Sequence, residues 1–407
     1  MMKALVYHHS VPRYLLCSFL SRYWRRRFFP GVAPFRLREV EFRGLEPEWA
    51  KGWVALKPLM CGICGSDLSL LRGAESLLLE PYGSFPCILG HEVLAEVTEA
   101  PGESGFSQGD RVVVEPLLSC EQRGLPLCRS CERGDYNLCE NFTRGSLAAS
   151  PVLGYNATVG GGMAEAMVAH PSRVFKVPES MSDEVAVLTD SVISALQPVL
   201  DNFPEEDEQV VVFGAGVIGQ HVIRSLRALG FEGKLVAVAR HGFQRDLALA
   251  GGADEVLMSP GRETLGAAVG AEFFKTSLGG GNLEGGADLF FDCVGGGRTM
   301  QEGLICLRAR GRYVMVGTAS SIRKMDISSL WYRSLRVTGS AMYGYGELKG
   351  KRVRTYELGL ELLAGDKYPT QGLLTHTFAM SEYRKAFQTV FDKRSTGSCK
   401  VAFDFRE

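Results

Sequence analysis

The order of hydrophobic and polar positions divides the chain into two textures. Between about residues 50 and 185, short β-branched runs alternate with glycine and proline, as at 53–56, 91–97 and 111–114. Such runs are typical of an irregular antiparallel β domain. After about residue 190, longer apolar runs alternate with stretches of helical periodicity. This second texture predicts parallel strands covered by helices on both faces.

The first apolar run of the second part, residues 210–213, leads directly into a predicted helix. The apolar positions of that helix share one face and are Val222, Ile223, Leu226 and Leu229. Later runs that predict buried strands lie at 235–239, 289–293 and 313–316. We therefore predict a doubly wound α/β sheet.

These textures predict two domains. The first is the irregular β domain, which we place at residues 1–190 and expect to be completed by residues 346–407, where the mixed texture returns. The second is the doubly wound domain at residues 191–345.

A glycine motif of the form G-x-G-x-x-G separates the run at 210–213 from its helix. In this position the glycines permit a tight turn, close approach of a pyrophosphate and helix–strand packing, while the helix N-terminus offers free N–H groups. The alternative is a glycine-rich turn with no ligand. The residues that we expect to bind a dinucleotide are Gly214, Gly216, Val217, Ile218 and Gly219.

The end of the second predicted strand indicates which dinucleotide binds. Residues 236–241 read Val-Ala-Val-Ala-Arg-His, so the acidic residue that holds the ribose 2′-OH in an NAD site is missing. Arg240, His241 and Arg245 are present instead, and a guanidinium suits a 2′-phosphate through charge-assisted hydrogen bonds. We expect NADP, with NAD as the alternative if Arg240 only points into solvent.

Composition and charge exclude several classes of protein. The 407 residues carry 45 Lys+Arg and 46 Asp+Glu, a formal charge of −1, which argues against a nucleic-acid scaffold. No window reaches the roughly 18 uncharged apolar residues of a membrane span, and the first residues lack the features of a signal peptide. We therefore expect a cytoplasmic protein without a nucleic-acid partner or a transmembrane span.

Four of the 11 cysteines are concentrated between residues 120 and 139. Cys120, Cys128, Cys131 and Cys139 follow the spacing C-x7-C-x2-C-x7-C. Four thiolates this close in sequence can complete a tetrahedral zinc shell, which is structural because no coordination position stays open. We predict a structural zinc lobe at about residues 116–145, with four unliganded thiols as the alternative.

Two shorter segments carry metal-ligand residue types on glycine-flanked turns. Residues 61–67 read Cys-Gly-Ile-Cys-Gly-Ser-Asp, and residues 90–92 read Gly-His-Glu. Neither segment identifies a site alone, because a lone His-Glu pair is ordinarily part of a surface or a core.

Taken in order with the cysteine lobe, the glycine motif and the stretch at 311–317, these segments resemble the zinc-dependent medium-chain dehydrogenase/reductase family, which includes alcohol, sorbitol and threonine dehydrogenases. The resemblance spans nearly the whole chain. It implies a GroES-like catalytic domain, a Rossmann domain, two zinc ions per chain, one catalytic and one structural, and a small-molecule alcohol or carbonyl substrate. We also expect a homo-oligomer, either a dimer or a tetramer.

The family pattern also implies which residues bind the catalytic zinc. Cys64 matches the cysteine ligand, His91 the histidine ligand, and Glu92 a carboxylate that binds permanently or in exchange with water. The remaining ligand comes from a helix after the β domain, where Asp190 is our candidate.

Roles for the neighbouring residues follow from the resemblance. Ser66 would relay the proton of the substrate oxygen, and Asp67 would orient His91 as a hydrogen-bond acceptor. Oxygen ligands at Glu92 and Asp190 make the site harder than one with a second thiolate, which favours a polyol or another polar alcohol.

The chain departs from the family pattern in three places. An aromatic and arginine-rich block at 13–29 is extra, the first spacing of the cysteine lobe is seven residues instead of two, and Ser69 replaces a histidine of the proton relay. We expect the extra block to be a surface helix whose aromatic side packs on the domain or on another subunit. The alternative is a patch that binds a membrane surface or a partner.

The leading interpretation is a zinc- and NADP-dependent alcohol or polyol dehydrogenase. One alternative is an aldehyde or ketone reductase that works in the reverse direction. Another is a non-catalytic nucleotide-binding protein with the same fold.

Overall fold

The computed structural model describes residues 1–318, 322 and 325–406 and divides them into two compact units. Unit 1 comprises Met1–Asp190 and the segment from Leu374 onward, and unit 2 comprises Ser191–Leu373. Within the described residues, no helix combines the length and the apolar content needed to cross a membrane.

The strands follow one another as β1 (Met2–Tyr7), β2 (Phe35–Val40), β3 (Val54–Gly62), β4 (Cys87–Ile88), β5 (Glu92–Glu99), β6 (Arg111–Val114), β7 (Met167–Ala169), β8 (Val174–Lys176), β9 (Val210–Phe213), β10 (Leu235–Ala239), β11 (Glu255–Met258), β12 (Glu272–Phe274), β13 (Asn282–Glu284), β14 (Ala287–Asp292), β15 (Leu307–Met315), β16 (Arg336–Gly339), β17 (Tyr345–Leu348), β18 (Lys351–Arg354), β19 (Leu374–Phe378) and β20 (Lys400–Asp404).

The α-helices are α1 (Val11–Tyr23), α2 (Gly65–Arg72), α3 (Arg129–Glu132), α4 (Asp183–Ala186), α5 (Thr189–Asp201), α6 (Val217–Ala228), α7 (Gly242–Ala250), α8 (Arg262–Ala268), α9 (Gly297–Cys306), α10 (Ser328–Tyr332), α11 (Thr355–Ala364), α12 (Tyr383–Phe391) and α13 (Lys393–Thr396). Short 3₁₀ turns occur at Glu48–Ala50, Leu77–Tyr82, Tyr136–Leu138, Pro171–Arg173 and Met380–Glu382.

Unit 1 is built on an irregular, mostly antiparallel sheet with the order β19-β20-β3-β5-β6-β8, and β7 also pairs with β3. A small sheet, β2-β1-β4, accompanies it. Leu56, Val93 and Phe403 of three neighbouring strands are buried in one common core. The irregular β domain predicted from the sequence is therefore confirmed as the framework of unit 1.

Unit 2 contains a six-stranded parallel sheet with the order β11-β10-β9-β14-β15-β16. Numbered within this sheet, the order is 3-2-1-4-5-6, the doubly wound order of a Rossmann fold. The central strand β9 supplies Val210 and Val212 to the core on one face and Val211 to the core on the other. Because both faces are covered, the strand reads as a continuous apolar run, as the sequence predicted.

The structure places the first border between the units at the predicted residue, but the return to unit 1 is later than predicted. Residues 346–373, which sequence analysis placed in the first domain, belong to unit 2. The reason is packing, because Leu358 and Leu362 of α11 lie against the core of unit 2. Gly359 is held so close to α5 that a Cβ there would be 2.6 Å from Ile193 Cγ1.

The extra block near the N-terminus forms α1 and the turn that follows it. Of its aromatic residues, Phe28 packs on the domain as expected, whereas others face away from it, and packing on another subunit stays a prediction. Cys17 is buried, while Phe19, Tyr23 and Trp24 are exposed. The small residues of α1 therefore face the protein, and its large apolar residues face solvent.

Candidate functional site

Four cysteine sulfurs meet in the loops between β6 and β7. The Sγ atoms of Cys120, Cys128, Cys131 and Cys139 all lie within 4.8 Å of one another. Those of Cys120 and Cys139 are 3.5 Å apart, and those of Cys128 and Cys139 are 4.0 Å apart. A tetrahedral zinc with Zn–S bonds of about 2.3 Å needs sulfurs about 3.8 Å apart. These four side chains therefore fit a zinc ion.

Backbone N–H groups donate to the sulfurs of Cys128 and Cys139, although burial raises the pKa of Cys139 to about 11. Glu140 N donates to Cys128 Sγ at 3.4 Å, and Asn141 N donates to Cys139 Sγ at 3.3 Å. Burial raises the pKa of Cys128, but hydrogen bonds from Glu140 and Cys131 outweigh it and lower that pKa to about 7. A lowered thiol pKa prepares a cysteine for metal binding.

A buried arginine, which sequence analysis did not single out, holds the long loop between Cys120 and Cys128. Arg123 is 1% exposed. Its guanidinium donates at 2.5–3.1 Å to the carbonyl oxygens of Leu118, Arg144, Leu147, Ala148 and Ser150. The loop thus has its own anchor and brings Cys120 to the other three sulfurs despite the long spacing.

A second group of metal-ligand side chains forms at the start of α2. Ligand atoms of Cys64, His91 and Glu92 lie within 4.8 Å of one another. Cys64 is the N-cap of α2, and its N–H donates to Asp67 Oδ2 at 2.9 Å. One thiolate, one imidazole and one carboxylate form a suitable donor set for zinc.

The backbone before His91 has a conformation that only glycine adopts readily. Gly90 has φ +98°, and a Cβ there would lie 2.7 Å from Cys61 Sγ. The fully buried Cys61 thus packs behind the turn that presents His91 and Glu92. This contact gives Cys61 a packing role.

Glu92 forms a buried ion pair with Lys400 of β20, which sequence analysis did not consider. Each side chain is 2% exposed, and Lys400 also donates to the Ile63 carbonyl oxygen at 3.3 Å. Burial works to lower the pKa of Lys400, but the charges of Glu92 and Cys64 raise it above its ordinary value. The signal in the sequence is a lysine that opens the otherwise apolar run at 400–403.

Asp67 lies near His91, but no hydrogen bond joins them. Asp67 Oδ2 accepts from Cys64 N, while Asp67 Oδ1 and His91 Nδ1 are buried and have no partner in the part of the chain that the structure describes. Burial raises the pKa of Asp67, and the charge of His91 opposes this rise. The structure thus places Asp67 near His91 without the predicted hydrogen bond.

Two hydroxyl groups lie beside the three ligand side chains. Ser66 Oγ and Tyr155 Oη are buried, and neither has a hydrogen-bond partner among the described residues. The rings of Tyr155 and His91 have centroids 6.1 Å apart. Burial raises the pKa of Tyr155, as do Asp67 and Glu75, while Ser66 is near enough to lower it. Both hydroxyls can therefore serve a polar ligand that enters this site.

Asp190 lies in the first turn of α5 and is 6% exposed. Its charge helps to raise the pKa of both His91 and Lys400, so it is close to the site. It does not belong to the compact group of Cys64, His91 and Glu92. The structure therefore brings three of the four proposed catalytic ligands together and leaves Asp190 beside them.

The glycine motif of unit 2 forms the turn from β9 to α6. Gly214 has φ +105°, and a Cβ at Gly219 would collide with the Gly214 carbonyl oxygen. Around Gly216, the N-cap of α6, a Cβ would meet nothing within 4 Å. The backbone conformation at Gly214 and the close backbone contact at Gly219 therefore require glycine. Gly216 instead leaves open space at a helix N-terminus, as the binding of a pyrophosphate requires. Val217 and Ile218 begin α6.

The three basic residues predicted to bind a 2′-phosphate follow β10, but they differ in their surroundings. Arg240 is exposed directly after the strand, and its guanidinium makes no ion pair among the described residues. His241 is the N-cap of α7. Arg245 pairs with Asp246 at 2.8 Å. Arg240 is thus the guanidinium best able to meet a new anion.

Two family models match the chain. The alcohol dehydrogenase GroES-like domain covers residues 50–179, and the zinc-binding dehydrogenase domain covers residues 217–356. A sorbitol dehydrogenase from Arabidopsis thaliana is 30% identical over 84% of this chain and 86% of its own length. An L-threonine 3-dehydrogenase from Pyrococcus abyssi is 28% identical over 88% of this chain and 92% of its own.

Solved structures support the same fold. The 2R,3R-butanediol dehydrogenase of Bacillus subtilis superimposes with a TM-score of 0.73 at 22% identity, with 99% of each chain covered. A zinc-binding dehydrogenase from Sinorhizobium meliloti 1021 bound to NADP superimposes with a TM-score of 0.71 at 22% identity, also with 99% of each chain covered.

The relatives are named dehydrogenases, and they match the chain across both units. Two domain models, a relative at 30% identity over most of the chain and the doubly wound sheet of unit 2 all agree with the resemblance noted in the sequence. The protein is an oxidoreductase and belongs to the zinc-dependent medium-chain dehydrogenase family.

Proposed function

We propose that this protein is a zinc- and NADP-dependent dehydrogenase of a polyol or another polar alcohol. The observation that carries the proposal is the group of Cys64, His91 and Glu92, which is separate from the four-cysteine lobe. A closed four-thiolate shell is sufficient for a structural ion, so a second group with mixed ligands has a different purpose.

The catalytic metal site that we propose consists of Cys64, His91 and Glu92, with Asp190 available from α5. When bound there, zinc would supply Lewis-acid stabilisation of the oxygen on the substrate carbon that exchanges hydride. Lys400 neutralises part of the negative charge of this group through Glu92. The carboxylate of Glu92 can therefore bind either the ion or Lys400.

Ser66 is the residue that we propose to exchange a proton with the reacting oxygen. Its Oγ is buried and without a partner in the described chain, so it is available to a substrate hydroxyl. Tyr155 Oη provides a second donor for a neighbouring hydroxyl. Two such groups favour a substrate with more than one hydroxyl, and several relatives carry the names of polyol enzymes, including sorbitol dehydrogenase and D-xylulose reductase A.

The nicotinamide cofactor supplies or accepts the hydride. We propose that Gly214, Gly216, Val217, Ile218 and Gly219 hold its pyrophosphate and that Arg240 selects NADP through the 2′-phosphate. The exposed, unpaired guanidinium of Arg240 supports this choice, because forked hydrogen bonds to a phosphate are the strongest kind that it can form.

The test combines a substrate panel with metal analysis. Polyols, sugars and simple alcohols are assayed with NADP and NAD at the nicotinamide absorbance, and the corresponding carbonyl compounds with NADPH and NADH. We expect turnover of polar alcohols with NADP and two zinc ions per chain. Turnover of none of these compounds together with a single zinc per chain would support a non-catalytic nucleotide-binding protein instead.

A further inference from the structure

The helix α1 presents an apolar stripe to solvent. Val11, Leu15, Phe19 and Tyr23 follow one another at intervals of four residues, so they lie on one side of the helix. Their exposed fractions lie between 53% and 69%. A surface helix of a globular protein ordinarily turns such a stripe toward the core. In α1 the stripe faces the other way.

This orientation is held by contacts on the opposite side of α1. Tyr14 Oη donates to the Glu75 carbonyl oxygen at 3.1 Å, and Cys17 is buried. The end of α2 approaches so closely that a Cβ at Gly73 would lie 3.0 Å from Ser18 N. Because these contacts fix the helix, it cannot simply roll its apolar stripe inward.

The segment that follows α1 is also held by contacts with the rest of unit 1. Phe28 is buried against Phe387 and Phe391, with ring centroids 5.5 and 5.6 Å away. Gln388 accepts from Phe28 N at 3.0 Å and donates to the Arg26 carbonyl oxygen at 2.9 Å. The segment between α1 and Phe28 is therefore displayed on a firm support.

That segment is strongly basic. The side chains of five exposed arginines, Arg13, Arg22, Arg25, Arg26 and Arg27, make no ion pair among the residues that the structure describes. The sequence contains no acidic residue before Glu39. The aromatic rings of Phe19, Tyr23 and Trp24 lie among these charges, with successive centroids 5.3 and 6.0 Å apart.

A second exposed apolar group follows the segment Gly73–Glu75, which contacts α1. Leu77, Leu78 and Leu79 open the 3₁₀ turn that follows the Gly73–Glu75 contact with α1, and their exposed fractions lie between 59% and 85%. These three adjacent, exposed leucines enlarge the apolar surface that has no partner in the described chain. We call α1, the arginines after it and these leucines the basic apolar face.

We propose that the basic apolar face binds an anionic lipid bilayer, with α1 lying in the plane of the interface. Exposed aliphatic and aromatic side chains enter the boundary between headgroups and acyl chains, and the arginines meet acidic headgroups. Tryptophan and tyrosine are favoured at this depth. The proposal is independent of the function proposed above.

The charge of the face argues against a second copy of this chain as its occupant. A symmetric contact through the face would bring five arginines of one copy to the same five of the other. Like charges without counter-charges oppose such an interface. An acidic lipid surface satisfies the arginines and the apolar side chains together.

The test is co-sedimentation of the full-length protein with vesicles of phosphatidylcholine, with and without about 30% phosphatidylserine. We expect binding to the acidic vesicles that weakens at high salt and little binding to phosphatidylcholine alone. Equal absence of binding to both vesicles overturns the proposal. So does a salt-independent dimer in light scattering that Phe19→Asp breaks, because the face would then join two copies.

Two variants separate the apolar and the charged contributions. Phe19→Asp and the triple change Arg25→Gln, Arg26→Gln and Arg27→Gln alter only exposed side chains, and each is expected to lower binding more than tenfold. The matched control removes three exposed cations of unit 2 by Lys349→Gln, Lys351→Gln and Lys367→Gln and is expected to change binding less than twofold. Equal loss in the control overturns the proposal, because binding would then follow net charge alone. Circular dichroism and unchanged zinc content check that every variant is folded.

Discussion

Lys400 and Glu92 form a pair that is packed tightly against Gly62. A Cβ at Gly62 would collide with Glu92 Oε2 and lie 2.9 Å from Lys400 Cε, so only glycine fits beside them. A buried ion pair contributes little by itself, but removal of one partner leaves an uncompensated charge. The pair can therefore be tested by comparing the loss of one partner with the loss of both.

We predict that Lys400→Met destabilises the protein by about 3–5 kcal/mol, because the Glu92 carboxylate stays buried without its counter-charge. Urea unfolding measures the change. The double variant Glu92→Gln with Lys400→Met recovers much of the loss, because the charge is gone. A double variant as unstable as the single one would mean that Lys400 acts through packing.

The proposed preference for NADP depends on a single residue, Arg240. We predict that Arg240→Asp raises the KM for NADPH about a hundredfold while changing that for NADH less than threefold, because only NADPH has a 2′-phosphate for the new carboxylate to repel. The control is Arg336→Asp, an exposed arginine at the amino end of β16, away from the edge where dinucleotides bind. Equal losses for both cofactors would contradict the assignment of Arg240.

Residue types and spacing predicted the four-cysteine group, whereas Cys64, His91 and Glu92 were singled out by the family resemblance; the structure brings the side chains of each group together. Lys400 and Arg123 escaped prediction. Both residues are buried cations. Whether a single cation is buried depends on contacts with residues distant in sequence, and no local sequence pattern shows those contacts.

At the scale of elements, α2 connects the metal site to the rest of unit 1. It begins at Cys64, and its last residue, Arg72, donates to the Arg25 carbonyl oxygen at 3.1 Å. The cysteine lobe is a separate element with its own anchor in Arg123. We therefore expect different effects from the loss of Cys64 and from the loss of a cysteine of the lobe.

We predict that Cys64→Ser lowers kcat/KM about a thousandfold or more while the unfolding temperature stays within a few degrees. The reason is that Cys64 is exposed to the site and not part of the core. Zinc content falls from two ions per chain to one. The control is Cys17→Ser, which lies outside both groups and leaves the zinc content at two.

We predict that Cys131→Ser, in contrast, lowers the unfolding temperature by about 10 °C, because the loops between β6 and β7 lose the ion that closes them. Differential scanning calorimetry measures the shift. A variant that keeps both its zinc content and its unfolding temperature would mean that the four sulfurs hold no ion.

Elements of unit 2 were predicted more accurately than those of unit 1. The continuous apolar runs became β9, β10, β14 and β15, since a strand buried on both faces has few alternatives. The helix α1 was expected as an element, but its large apolar side chains do not pack on unit 1, and packing on another subunit stays a prediction. Its apolar side faces solvent because Tyr14 and Cys17 make the contacts with the protein, and periodicity alone does not say which side of a helix is attached.

At the scale of the whole molecule, the chain leaves unit 1 and returns to it. The texture of the sequence placed the return at residue 346, whereas contacts place it at Leu374. The hairpin of β17 and β18 and the helix α11 have the mixed composition of unit 1 but pack on unit 2. The composition of a segment indicates which kind of element it forms, whereas its packing determines the unit to which that element belongs.

We predict that hydrogen exchange follows these packing borders. Zinc chelation increases exchange in residues 1–190 and 374–407, because the metal sites proposed here lie there. NADPH protects peptides of residues 191–373. If peptides of 346–373 responded to chelation rather than to NADPH, the border drawn from the sequence would be the better one.

The return of the chain has a consequence for synthesis on the ribosome. β20 pairs with β3 near the middle of the sheet of unit 1, and it brings Lys400 to Glu92. Unit 2 is complete in sequence at residue 373, before either of these contacts can form. The sheet of unit 1 therefore lacks β19 and β20, and part of one edge of β3 stays unpaired, until residues 374–404 have been synthesised.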